Sequence, residues 1–283
     1  MTEINDRIAL GAIGVWRGGE TESELAVELE RLGFGTLWLG GSPSAELADV
    51  ERLLDATSTL VVATGIVNIW SSPAQEVAGS YRRIAAKHPD RFLLGVGAGH
   101  PEASSEFTKP YEALSSYLDV LDAGGVPKQR RVLAALGPRV LRLSAERTAG
   151  AHPYLVTPQH TREARELLGD GPLLAPEQKV VLTTDAAAAR AIGTPTLQMY
   201  LGLRNYVSNL RRLGFGADEV VGDGSDRLFD QVILHGADDE VAAGVRAHLA
   251  AGADHVAVQV IGDGDPLPAY RALAAVLRPG QAG

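Results

Sequence analysis

Two histidines in this chain stand where chemistry could be done. His100 closes the run "GVGAGH" and His160 follows "VTPQ", and each comes just after an apolar run that reads as a buried strand. An imidazole at a strand exit can donate or accept a proton near neutral pH, so a proton-transfer role falls first to His100. The competing reading of His100 is a loop histidine hydrogen-bonded to backbone. The remaining histidines are placed less favourably: His88 at a helix end, His152 at a strand start, and His235, His248 and His255 in the helical C-terminal part.

A second group of residues suits an anion. Gly137 followed by Pro138 puts the free amides of a helix N-terminus at the end of an apolar run, and such amides bind phosphate. Arg139 and Arg142 would add positive charge there, and Thr157 and His160 at the next exit could complete a phosphate cradle. The alternative is that Gly-Pro turns the chain and Thr157 caps the following helix. Glycines recur at the exits, among them Gly65, Gly97 and Gly99, as expected where a planar or phosphorylated ligand lies close against backbone. The run "GVGAGHPE" is a poor dinucleotide fingerprint, because it lacks the terminal G-x-x-G and follows the fourth strand instead of the first. Trp16, Trp38 and Trp70 fall near the first three exits. There they could line a pocket for a flat ligand or belong to the core.

Other chemistries are excluded by what is missing. The chain has no cysteine, which removes disulfides, thiolate catalysis and cysteine metal sites. Neither H-E-x-x-H nor G-x-S-x-G occurs, and no metal site is expected. A net charge of −9 argues against nucleic acid or an anionic membrane as partner. No window approaches the roughly 18 apolar residues of a membrane span. The first residues lack the basic and apolar regions of a signal peptide, so a cytoplasmic protein is expected.

The elements that must position these residues repeat as apolar run, turn, amphipathic helix. Strand candidates are Ile8 to Val15, Thr36 to Leu39, Leu60 to Ile66, Phe92 to Val96, Val132 to Leu136, Tyr154 to Thr157, Lys179 to Thr183 and His255 to Ile261. They are rich in Val, Ile and Leu without clean alternation, as parallel strands covered on both faces are. Capping boxes are expected at Thr21 with Glu24 and at Ser72 with Gln75, and Pro138 is expected to open a helix. A long helical stretch, about Asp185 to Leu234, separates the last two strands. Eight strands alternating with helices specify a single-domain (β/α)₈ TIM barrel with a helical insertion between strands seven and eight. A doubly wound open sheet is the competitor. In either, ligands bind beyond the carboxyl ends of the strands.

Six stretches in order carry a resemblance: "ATGIVNIW", "RFLLGVGAGHP", "RRVLAALGPRVLRLSAERTAGAHPYLVTPQHT", "LLAPEQKVVL", "RNYVSNLRRLGF" and "AGADHVAVQV". They resemble the luciferase-like monooxygenase superfamily, and within it oxidoreductases that use the deazaflavin coenzyme F420, with FMN as the alternative cofactor. The resemblance implies a (β/α)₈ barrel whose third strand ends in a bulge with a non-proline cis peptide bond, here Gly65–Ile66, on which the cofactor ring rests. It implies that Asn68 faces cofactor or substrate, and that Gly137, Pro138 and Arg139 hold the ribityl-phosphate region, completed by Thr157 and His160. His100 matches the place of an acidic or histidine proton donor. A small organic substrate and a homodimer are the partners implied. Two departures stand out: Gly40, Gly41 and Ser42 replace an acidic–histidine pair, and Ala103 replaces a polar anchor.

Overall fold

The computed structural model describes residues 7–100 and 109–280, so Pro101 and Ala103 lie outside the described residues. The first half alternates strand and helix. It runs through β1 (Ile13–Arg17), α1 (Ser23–Arg31), β2 (Thr36–Leu39), α2 (Ala48–Ala56), β3 (Val61–Thr64), the short β4 (Val67–Asn68), α3 (Ala74–Lys87), β5 (Phe92–Gly97) and α4 (Pro110–Ala123). The pattern continues through β6 (Arg131–Leu133), α5 (Pro138–Arg147), β7 (Gly150–Ala151), α6 (Pro158–Leu168), β8 (Leu173–Leu174) and β9 (Glu177–Val181). Helices then accumulate: α7 (Ala186–Leu201), α8 (Arg204–Arg212) and α9 (Asp226–Val232) precede β10 (Ile233–His235), α10 (Asp238–Ala250), β11 (Val256–Val260) and α11 (Leu267–Leu277).

All pairings are parallel, in the order β10-β9-β11-β1-β2-β3-β5-β6-β7-β8, with β4 on β5. A doubly wound sheet reverses its order at a switch point; from β1 to β8 this one does not, and β11 lies against β1. Only Ala175 and Pro176 separate β8 from β9. Across that join Ala175 N donates to Ala151 O and Ala257 N donates to Pro176 O, so one stretch of chain touches both β7 and β11. The result is a strongly curled parallel sheet, consistent with the expected TIM barrel.

Side-chain alternation explains why both faces are buried. Val15, Leu37, Val62, Leu94 and Val258 join the core beneath the helices. Their neighbours on the opposite face, Trp16, Trp38, Ala63, Leu93 and Ala257, join a separate cluster within the curl. A strand whose two faces both meet apolar neighbours reads as a continuous apolar run, which is why the sequence shows so little alternation.

Local expectations fared unevenly. Pro138 opens α5 with Gly137 as its N-cap. The box at Thr21 does not form: the N-cap of α1 is Glu22, without a side-chain cap bond. Ser72 is likewise no cap; Pro73 precedes the first residue of α3, and Ser72 instead accepts the Tyr117 hydroxyl on its carbonyl at 2.8 Å. The sixth strand also moves, from Tyr154–Thr157 to Gly150–Ala151. Pro153 has no amide to donate to a ladder, and Gly150 at φ 153° brings its backbone so close to β8 that an added Cβ would lie 1.9 Å from Leu173 O.

Candidate functional site at the strand exits

The exit of β3 is built from a cis peptide bond between Gly65 and Ile66, after which the chain resumes as β4. This is the bond that the family resemblance implied. Asn68 then folds back, its Oδ1 accepting from Trp70 N at 2.9 Å, and Trp70 Nε1 donates to Ala98 O at 2.7 Å. These two bonds tie the β3 exit to the β5 exit. Gly97 and Gly99 are required there: a Cβ on Gly97 would lie 3.0 Å from the Ile66 side chain, and one on Gly99 2.8 Å from Asn68 Nδ2. Gly65, Ile66, Asn68, Gly97 and Gly99 are therefore brought together in a closely packed platform, and His100 follows directly from it.

Facing the same mouth is a wall of aromatic rings that the sequence reading missed. Tyr154 lies 5.1 Å from Trp16 and 5.3 Å from Tyr200, and Tyr200 lies 4.9 Å from Tyr206 between centroids. Tyr206 in turn lies 5.3 Å from the His100 ring. Asn205 completes the link, with Nδ2 3.3 Å from His100 Nδ1. Tyr200, Asn205 and Tyr206 come from α7 and α8, so the helical stretch supplies part of this wall. Beneath it Lys179 Nζ sits 3.6 Å from the centre of the Tyr154 ring and 3.1 Å from both carboxylate oxygens of Glu177. The hydroxyls are ordered too: Tyr200 donates to Tyr154 at 3.0 Å, and Tyr154 to Gln259 Oε1 at 2.7 Å.

Burial sets the protonation of this wall. It pushes Lys179 down to about 8 and Glu177 above the usual carboxylate range, while each charge partly offsets the loss of water for the other. Burial also raises the Tyr200 phenol to about 12. Tyr154 and Tyr206 are raised further by the same cause, so all three tyrosines are neutral hydroxyls at physiological pH.

The anion group is only partly assembled. At the start of α5 the glycine cap has no side chain to offer, and the intrahelical bonds begin with Leu141 N, which leaves the first-turn amides facing outward. The Arg139 guanidinium is braced 4.4 Å above the Tyr111 ring. Thr157 is occupied as the N-cap of α6, accepting from His160 N at 3.3 Å. His160 is fully buried, its Nε2 3.0 Å from Leu136 O, and burial holds its pKa below the usual value. Its Nε2–H therefore holds the β6 exit against α6 and does not face outward.

Elsewhere, a groove of about 530 Å³ on the outer side of α2 and α3, lined by Glu46, Glu51, Arg52, Asp55 and Arg83, shares no residue with the strand exits. Among the described residues no cluster of three or more His, Asp or Glu could hold a metal ion, and no helix is long and apolar enough to cross a membrane.

The signal for the missed wall was present in part. Glu177 and Lys179, two apart in a strand, must share a face, but nothing local says that this face is buried. Tyr200 and Tyr206 read only as helix residues.

No protein-family model and no curated protein matches the sequence. Solved structures do match the fold. An F420-dependent secondary alcohol dehydrogenase in complex with an F420–acetone adduct superposes with a TM-score of 0.76 at 13% identity, covering 97% of this chain and 100% of the other. The coenzyme F420-dependent tetrahydromethanopterin reductase of Methanopyrus kandleri gives 0.75 at 14% identity, covering 96% and 99%. The oxygenating constituent of 3,6-diketocamphane monooxygenase from Pseudomonas putida, in complex with FMN, gives 0.66 at 15%, covering 96% and 98%. Over almost its entire length, the chain thus shares the fold of these solved proteins.

Proposed function

We propose that this protein is an oxidoreductase that moves a hydride between the deazaflavin coenzyme F420 and a small organic substrate. The observation that carries the reading is that the close-packed backbone at Gly65, Gly97 and Gly99 shares the strand exits with a cluster of aromatic rings, Tyr154, Tyr200 and Tyr206, joined to it through Trp16 and His100. A flat heterocycle suits strand exits that offer both glycine backbone and aromatic rings. The neighbours of like fold include proteins described as acting with F420 and one complexed with FMN.

The residues fit such a cofactor unevenly. The platform and the open first turn of α5, with Arg139 beside it, suit a ring and an anionic tail. His160 does not present a donor to that tail, so the tail is assigned to Gly137, Pro138 and Arg139, with Thr157 contributing backbone. When bound, the deazaflavin supplies the carbon that takes or gives the hydride. His100 holds or moves the accompanying proton. With Asn205 donating to its Nδ1, that proton resides on Nε2. The Trp70–Ala98 bond keeps the platform closed behind it, and the neutral tyrosines limit water at the mouth.

The second reading is an FMN-dependent monooxygenase or a flavin carrier without turnover, favoured by the FMN complex among the fold neighbours. One titration separates the cofactors. Purified protein is mixed with oxidised F420, reduced F420 and FMN, and each dissociation constant is measured. Binding of F420 at least tenfold tighter than FMN supports the proposal; tight FMN with no F420 binding overturns it.

A further inference from the structure

Two buried polar atoms within the curl of the sheet have no hydrogen-bond partner, and they face the same glycine. Trp16 is 7% exposed and His152 1%, and both Trp16 Nε1 and His152 Nε2 are unpaired. A carbon added as Cβ on Gly65 would lie 2.7 Å from Trp16 Nε1 and 3.1 Å from His152 Nε2, so both atoms approach the same side of that residue.

Their chemical characters are opposite. An indole N–H can only donate. His152 Nδ1 lies 2.7 Å from Ala175 O, which can only accept, so the imidazole proton is on Nδ1 and Nε2 presents a lone pair. The Trp38 ring stacks on His152 at 4.0 Å and 10°, fixing the plane in which that lone pair lies. Burial lowers the imidazole to about 4, which keeps it neutral and Nε2 an acceptor. A donor and an acceptor buried side by side without partners are unfavourable, and native interiors rarely leave them so.

We propose that Trp16 and His152 form a binding site for one hydroxyl oxygen beside Gly65. Only an oxygen that carries a hydrogen can accept from the indole and donate to the imidazole at once. A carbonyl or carboxylate oxygen could take the first bond but would confront the lone pair of Nε2. An ammonium could take the second but has no lone pair for the indole. The ligand is therefore an internal water or the hydroxyl of a small alcohol. The site rests on its two side chains and Gly65 and does not require the cofactor assignment.

The test observes the indole N–H of Trp16 by NMR in protein labelled with ¹⁵N-tryptophan. With three tryptophans in the chain, Trp16→Phe assigns the signal by its loss. The expected result for internal water is a cross-peak from the Trp16 indole proton to a long-lived water, unchanged by added 2-propanol. The expected result for an alcohol is a saturable shift of the indole signal on adding 2-propanol, with loss of any water cross-peak. Gly65→Ala, whose methyl would press against both nitrogens, is expected to abolish either signal. In protein labelled with both ¹⁵N-tryptophan and ¹⁵N-histidine, a scalar coupling between Trp16 ¹⁵N and His152 ¹⁵N would show a direct bond between the two rings and overturn the site. An indole proton with neither water contact nor alcohol response would overturn it equally. The wild-type spectra decide the matter even if Gly65→Ala does not fold.

Discussion

Lys179 and Glu177 face one another two residues apart in the same strand, with the ammonium 3.1 Å from each carboxylate oxygen and neither side chain exposed. Glu177 also accepts from Leu155 N at 3.2 Å, and Lys179 lies against two tyrosine rings. The pair thus joins β9 to the β7 exit and to α7. Removing one partner leaves the other charge buried without compensation. Lys179→Met is therefore expected to destabilise the fold by about 3–5 kcal/mol. Lys179→Met combined with Glu177→Leu should recover much of that loss. Urea unfolding of the three proteins checks it; a double variant no better than the single one would show that the charges are not coupled.

Three histidines make stability depend on acid. Burial lowers His152, His248 and His255 to about 4, below the ordinary histidine value of 6.5 that each regains on unfolding. Between those values the unfolded chain binds protons that the folded chain refuses. Stability is accordingly full above about pH 6.5, falls as pH drops toward 4, and levels off below it. Each group accounts for about 3 kcal/mol of that fall. Urea midpoints at pH 7, 6 and 5 measure the slope, and a flat profile would refute the neutral buried assignment.

Two glycines should respond in opposite ways to the same change. An added Cβ on Gly95 would lie 1.9 Å from Thr64 O, while one on Gly137 would meet nothing within 4 Å. Gly95→Ala is expected to cost about 3 kcal/mol or more, through forced separation of β3 and β5. Gly137→Ala should stay within about 1 kcal/mol, the ordinary penalty for alanine at an N-cap. Thermal unfolding of both proteins compares them directly.

If His100 moves the proton, His100→Ala should leave the F420 dissociation constant within twofold and lower kcat by about 10²–10⁴-fold. Asn205→Ala should shift the pH profile of turnover and leave binding intact, because Asn205 touches the His100 imidazole and none of the glycines. Equal turnover in His100→Ala and wild type would remove His100 from the chemistry.

Arg139, held over Tyr111, is expected to pair with the anionic tail at the start of α5. Arg139→Ala should weaken F420 binding about tenfold, or about 1.4 kcal/mol, and flatten its salt dependence. Tyr111→Leu should produce a smaller loss of the same kind. Affinities measured at two salt concentrations test both; an unchanged affinity would place the tail elsewhere.

Much of the architecture was legible because it rests on local signals. Apolar runs too short for helices, ended by glycine, marked most of the strands that form the curled sheet. Pro138 behind Gly137 marked the opening of α5. The bulge at Gly65–Ile66 was named through family resemblance and not from residue chemistry. Where only local chemistry was read, it misled in places. Thr21 and Ser72 have the right type for caps, yet the chain enters both helices one residue later. His160 has the right type for a phosphate ligand, yet its imidazole turns inward to Leu136.

What the sequence alone determined is the parallel alternation of strands and helices and the set of exits at which ligands must bind, since both follow from backbone periodicity and turn residues. Only the tertiary structure decided which side chains meet at those exits. Tyr154, Lys179, Tyr200 and Tyr206 form one wall although α7 and α8 lie far along the chain from β7. Trp16 and His152 meet at Gly65 across the interior of the sheet. Such meetings depend on the curl of the sheet and the packing of distant helices, and so does the burial that shifts each ionisable group. No stretch of neighbouring residues encodes them.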